Sequence, residues 1–165
     1  MGIMTTQPFV HLHLHTQYSL LESSLTAETI MAQAIEQGMP AVAVTDNGNM
    51  FGAIEFYFEA KKNNIKPIIG CEVYIAPKSR FDKSVNKTAQ HTPNSRLVLL
   101  ATNLAGYRNL CKLVSQGFTE GFYYKPRVDE ELLRQYSDDL IALTGGMNGA
   151  VAQQFTNFGP EKALE

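Results

Sequence analysis

The chain has 165 residues, 44% of them apolar and 18% charged, with 14 basic residues against 16 acidic ones for a net charge of −2. It is long enough to bury one core without disulfide or metal staples and too apolar to stay disordered, and its near-neutral balance excludes a surface built wholly for nucleic-acid phosphates. No run approaches the roughly 20 apolar residues of a membrane span, no signal pattern opens the chain, and Cys71 and Cys111 are expected as buried, reduced thiols of a cytoplasmic protein.

Two periods alternate along the chain. Residues 9–14 are apolar and predict a short strand ending in the polar run Thr16-Gln17-Tyr18-Ser19. A helix pattern follows, with Thr26 as N-cap, Ile30, Met31, Ala34 and Ile35 on one face, and Gly38 as the stop. Ala41-Val42-Ala43-Val44 is a continuous apolar run of the kind buried parallel strands show, and Asp46-Asn47-Gly48-Asn49 is turn chemistry. The next helix is predicted over residues 51–63, with Ile54, Tyr57 and Phe58 inward and Lys61-Lys62 near its C-terminus. A third strand covers residues 67–75. Residues 76–95 turn polar and read as a long exposed loop, with His91 solvated inside it.

Residues 96–101 resume as a strand. Asn103 then caps a helix whose face is Leu104, Tyr107, Leu110, Cys111 and Val114. An aromatic loop at residues 118–126 leads to a short helix capped by Asp129, with Leu132, Leu133 and Tyr136 inward. Residues 140–143 give a fifth strand, and Gly145-Gly146 opens a turn toward a last helix through Val151 and Phe155. Strands alternating with helices predict an α/β chain with a parallel sheet or barrel and helices outside. Five strands are fewer than a complete barrel of roughly 200–250 residues requires.

Three of the four histidines fall within five residues, in His11-Leu12-His13-Leu14-His15. On a strand, residues two apart share a face, so the three imidazoles are expected to project together. That pattern suits a divalent transition metal or a phosphate, although three hydrogen-bonded core histidines would leave the same trace. Asp46 ends the second strand and Glu72 lies in the third, and in parallel barrels strand C-termini converge on one rim. Asp46 has an equally simple role as a helix cap or turn stabiliser. Glu72 has fewer alternatives, since a carboxylate in an apolar strand is costly to bury unless it is paired or metal-bound. Glu22 by itself reads as a loop charge.

The residues also carry a family resemblance. Phe9-Val10-His11-Leu12-His13-Leu14-His15-Thr16-Gln17-Tyr18-Ser19-Leu20-Leu21-Glu22 resembles the first motif of the polymerase and histidinol phosphatase (PHP) domain. Thr45-Asp46-Asn47-Gly48-Asn49-Met50-Phe51-Gly52 is similar to a segment of the PHP domain that opens bacterial replicative DNA polymerase III alpha subunits. Lys66-Pro67-Ile68-Ile69-Gly70-Cys71-Glu72-Val73-Tyr74, Gly106-Tyr107-Arg108-Asn109-Leu110 and Gly121-Phe122-Tyr123-Tyr124-Lys125-Pro126-Arg127 resemble later blocks of that domain, in the same order. The resemblance implies a distorted (β/α)7 barrel of which residues 1–165 are the N-terminal, C-terminally truncated part, with the polymerase domains absent. It implies a metal site for zinc or manganese in which His13, His15, Glu72 and Glu22 are ligands, with His11 and Asp46 as weaker candidates. Three positions depart from the family: Asn47 stands in place of a ligand His, Arg96 in place of another His, and Gly146 in place of Cys.

Those departures favour a degenerate site, with metal occupancy partial or absent. The domain is then expected as a structural and interaction module of a DNA-directed DNA polymerase (a nucleotidyltransferase). Its expected partners are other subunits of the DNA polymerase III holoenzyme, including a proofreading exonuclease, with DNA contacted through the parent protein. The alternative is an active metal-dependent phosphoesterase, a 3'-5' exonuclease or a pyrophosphatase.

Overall fold

The computed structural model describes residues 9–83 and 94–163. His91 and half of the expected polar loop lie outside them. Helix α1 (Ala27–Glu36) starts where the Thr26 hydroxyl accepts the Thr29 N–H at 3.2 Å, and it ends before Gly38, whose φ of +65° only glycine adopts without strain. Ile30, Met31 and Ala34 are buried, whereas Ile35 is exposed, one position off the inward stripe.

Strand β1 (Ala41–Val44) is buried throughout and pairs in parallel with the first half of β2 (Lys66–Ile75). Between them runs α2 (Ala53–Lys62), whose inward face is Ala53, Phe56 and Ala60. The expected inward set, Ile54, Tyr57 and Phe58, is exposed instead. Two alanines flanking one phenylalanine let the helix lie close to its neighbours, and counting hydrophobicity alone assigned the wrong face.

From Gly70 onward β2 pairs antiparallel with β3 (Ser95–Ala101), and β3 pairs antiparallel with β5 (Leu140–Leu143). A two-residue strand unmarked in the sequence, β4 (Arg127–Val128), runs parallel to Tyr74 and Ile75 of β2. The sheet order is β1-β2-β3-β5 with β4 off that path. The expected parallel sheet is therefore corrected to a mixed one in an α/β fold. Continuous apolar runs report burial on both faces; they do not report strand direction. Residues 9–14, expected as a strand, are irregular.

The next two helices pack on the sheet. In α3 (Leu104–Thr119) the Asn103 side chain accepts the N–H groups of Ala105 and Gly106 at 2.8 and 3.0 Å. Leu110 and Leu113 are buried there, while Leu104 is exposed and Phe118 belongs to the helix, not to a loop. Helix α4 (Glu130–Gln135) begins at Asp129, which accepts the Leu132 N–H at 3.1 Å. After Gly145 and Gly146, both at positive φ, come α5 (Ala150–Phe158), with Val151 and Phe155 exposed, and α6 (Pro160–Ala163).

One core lies between α1, α2 and β1, around Met31, Val42, Val44 and Phe56. A second lies under α3 and α4, around Val73, Leu99, Leu110, Leu113 and Leu132. Cys71 is buried and Cys111 half-buried, and both are free thiols. The start of the expected exposed loop is not exposed: Ala76 and Arg80 are buried. Arg80 donates to Asp129 at 2.9 Å, to Glu120 at 2.7 Å and to Glu131 at 3.1 Å, which repays the cost of burying its charge. No helix among the described residues is long and apolar enough to cross a membrane.

Candidate metal centre

The histidine segment lies along the free edge of β1 without becoming a regular strand. Ala43 N–H donates to the His11 carbonyl at 2.9 Å, and Thr45 N–H donates to the Leu14 carbonyl at 2.8 Å. Two residues of β1 and its extension thus face three of the histidine segment, a one-residue bulge. The bulge breaks the period-2 alternation between His11 and the later histidines. His11 turns away, packs its ring edge-on to Phe9 at 4.8 Å and lines an apolar groove with Leu14, Ile30 and Met39. The expectation that all three imidazoles share a face is corrected by this phase shift.

Beyond the bulge, side chains of the β1 extension hold the segment. Thr45 accepts the Leu14 N–H at 2.9 Å and returns its hydroxyl proton to the Leu14 carbonyl at 3.1 Å. Asp46 is buried and accepts from the Thr16 N–H at 2.6 Å, the Thr16 hydroxyl at 2.7 Å and the Ser19 hydroxyl at 2.6 Å. Its carboxylate is spent on this clamp. It neither joins the histidines nor caps α2, which has no side-chain cap. Thr16, Ser19 and Thr45 were not expected in this role, since hydroxyls near strand ends carry no distinguishing spacing in the sequence.

His13 and His15 converge on Glu72. The Nε2 atoms of the two rings lie 3.1 and 2.8 Å from a single oxygen, Glu72 Oε2. The Glu72 side chain is 3% exposed, that of His15 19% and that of His13 41%, so the group opens to solvent on the His13 side. Burial pushes the Glu72 carboxyl up, but hydrogen bonds from His15 and His13 and the nearby Arg96 charge outweigh it and leave it below the usual carboxylate range.

The remaining predicted positions surround this pair. Asn47 Nδ2 donates to Glu22 Oε2 at 2.7 Å and lies 3.5 Å from His15 Nδ1. Arg96, opposite Tyr74 in the β2–β3 register, donates to Glu22 Oε2 and to the side-chain amide oxygen Oδ1 of Asn47 at 3.4 Å each, and its NH1 is 3.7 Å from Glu72 Oε2. The Tyr74 ring backs the guanidinium at 5.4 Å. The turn carrying Gly146 comes beside Arg96 through a bridge between Arg96 and Gly149, and Gly146 itself offers no side chain.

The donor set suits one divalent ion. His13, His15 and Glu72 each present a ligand atom, and these atoms lie within 4.8 Å of one another; they are the one such group among the described residues. It does not suit a second ion. Asn47 is committed to Glu22 and Arg96, Gly146 brings no donor, and Arg96 sets a permanent positive charge beside the carboxylate that a second cation would need.

The family model of the PHP domain matches residues 11–165. The chain is 48% identical over 157 residues to DNA polymerase III subunit alpha of Chlamydia muridarum, covering 95% of this chain and 12% of that protein. It is 44% identical over 147 residues to the subunit of the same name from Aquifex aeolicus, covering 87% and 13%. It thus spans about one eighth of the length of these curated relatives. A candidate metal-dependent phosphoesterase of Bifidobacterium adolescentis superposes with a TM-score of 0.47 at 15% identity, over 66% of this chain and 32% of that one, a likeness too partial to bear on function. The match over residues 11–165 establishes the kinship: the chain belongs to the PHP domain family.

Proposed function

We propose that this chain is the N-terminal PHP module of a DNA polymerase III alpha-type subunit, contributing the first part of a distorted (β/α)7 barrel, and that it acts as a structural and interaction platform with a degenerate metal site. The observation that carries the reading is Arg96. Its guanidinium stands 3.7 Å from Glu72 Oε2 and 3.4 Å from Glu22, where a two-ion site would need its own positive charge. A zinc or manganese ion held by His13, His15 and Glu72 would supply Lewis-acid polarisation of a phosphoryl oxygen. The chain's own residues do the rest. Glu72 ties the histidine segment to β2, Arg96 and Asn47 hold Glu22, and Asp46 fixes the backbone beneath them.

On this reading the parent polypeptide is a DNA-directed DNA polymerase working in the bacterial cytoplasm and contacting DNA mainly through other domains. Its partners are other subunits of the DNA polymerase III holoenzyme, among them the proofreading exonuclease subunit. The test is metal content and hydrolysis of the full-length polypeptide. Substoichiometric zinc and manganese are expected, with no release of nucleotides from a mismatched primer and no hydrolysis of pyrophosphate. Stoichiometric metal, together with hydrolysis abolished by His13→Ala, would establish the phosphoesterase instead. The platform role is tested separately by affinity for the exonuclease subunit. Equal affinity with and without residues 1–165 would remove it.

A further inference from the structure

Glu72 Oε2 has an imidazole nitrogen at 2.8 Å and another at 3.1 Å. Two acceptors cannot face each other at such distances, so each Nε2 points a proton at the carboxylate. For His15 the opposite ring nitrogen is constrained as well, because Nδ1 lies 3.5 Å from Asn47 Nδ2. The orientation of that amide is not arbitrary. Turned over, it would set its oxygen 2.7 Å from Glu22 Oε2 and its NH2 against the Arg96 guanidinium, acceptor on acceptor and donor on donor. Glu22 and Arg96 together therefore fix which end of Asn47 meets the ring.

A donor facing Nδ1 leaves the lone pair on Nδ1 and the proton on Nε2. Holding a metal through Nε2 requires the reverse, an Nδ1–H given to an outer acceptor with the Nε2 lone pair free. We propose that Asn47, oriented by Glu22 and Arg96, is a positioning residue that holds His15 in the tautomer with its proton on Nε2, so that the cluster is wired as a metal-independent clasp between the histidine segment and β2. This rests on the degenerate-site reading and adds its cause: the site is biased against an ion by the polarity of the groups behind His15 as well as by the ligands it lacks. Asn47 is thus a replaced ligand that also redirects a remaining one.

The proton is directly observable. In the chain labelled with ¹⁵N-histidine and stripped of metal by a chelator, long-range ¹H–¹⁵N correlation spectra should show His15 protonated at Nε2 alone. Asn47→Asp replaces the donor by an acceptor and should move the proton to Nδ1. Zinc binding, followed alone by competition with a chromophoric chelator, should then tighten by about tenfold or more, as outer-shell acceptors do for ligand histidines. Glu22→Gln, which unfixes the amide, should give a mixture of the two tautomers. An Nδ1–H proton on His15 in the unsubstituted chain overturns the proposal without any variant having to fold, and so does an Asn47→Asp spectrum with the proton still on Nε2. Stoichiometric metal in the chain as purified would instead defeat the degenerate-site reading, and the stripped sample would still decide the tautomer.

Discussion

Asp46 shows how little a residue's type says about its task. A carboxylate at a strand end was a candidate for the metal, for a helix cap and for the turn, and it accepts hydrogen bonds from Thr16 and Ser19 instead. Its three short hydrogen bonds come from one backbone N–H and two hydroxyls, all of them buried with it. Asp46→Ala strands those donors and should destabilise the chain by about 3 kcal/mol in urea unfolding, given that hydrogen bonds to a charged group contribute roughly 1.5–3 kcal/mol each. A loss below about 1 kcal/mol would show that water replaces the clamp. Glu72 is constrained from the other side, because its lowered pKa makes its pairing with the histidines a source of stability above the ordinary carboxylate range. What was legible here was the residue list: His13, His15 and Glu72 stood out by their own pattern, and Glu22, Asn47 and Arg96 only through the family resemblance. That the ring of contacts runs from Arg96 through Asn47 to His15 was not legible, since each contact joins residues far apart in the chain.

The elements were easier to locate than to orient. Caps are local, one side chain serving a backbone N–H two or three residues on, so Thr26, Asn103 and Asp129 were readable and form as expected. Pairing is not local. β2 has to pair in parallel with β1 over its first four residues and antiparallel with β3 from Gly70 onward. At that pivot a Cβ on Gly70 would sit 2.5 Å from the Leu99 carbonyl oxygen and 2.7 Å from Leu100 Cδ2. Gly70→Ala should therefore cost about 1–3 kcal/mol by overpacking, read from the unfolding midpoint, and an unchanged midpoint would refute the close approach.

Asp129 couples a cap to tertiary structure, since it also accepts the backbone N–H and guanidinium of Arg80. Burial pushes its carboxyl up, but these hydrogen bonds and the Arg80 charge prevail and hold it below the usual range. The unfolded chain then binds the proton more readily than the folded one. Stability from Asp129 is present above the unfolded aspartate value of about 3.9 and is lost as the pH falls through the lower folded value. Urea midpoints should hold from pH 7 to about pH 5 and fall below about pH 4, and Asp129→Asn should flatten part of that fall. A variant with the full acid slope would place the titrating group elsewhere.

At the scale of the whole molecule, apolar surface is left uncovered. Phe51 is 67% and Phe58 65% exposed, and Phe118 lies between Phe51 and Phe122 with ring centres 6.0 and 6.2 Å away. Among the described residues β5 pairs only with β3, and its Ile141 is also exposed. Open sheet edges and contiguous aromatics favour association. The isolated chain should therefore form dimers or larger species in sedimentation velocity at micromolar concentration, and Phe51→Lys with Phe58→Lys should reduce them; a monodisperse monomer would contradict this. The sequence by itself determined the α/β class, the caps of α1, α3 and α4, the positions of β1, β2, β3 and β5, and part of the residue set of the site, because caps, turns and apolar periods act over a few neighbouring residues. Only the tertiary structure decided that the sheet is mixed, that α2 turns its alanines inward, that a bulge sends His11 away, and that His13 meets Glu72 across 59 residues of chain. Those outcomes depend on which strand edges pair and in what register, and that is settled by packing between distant segments.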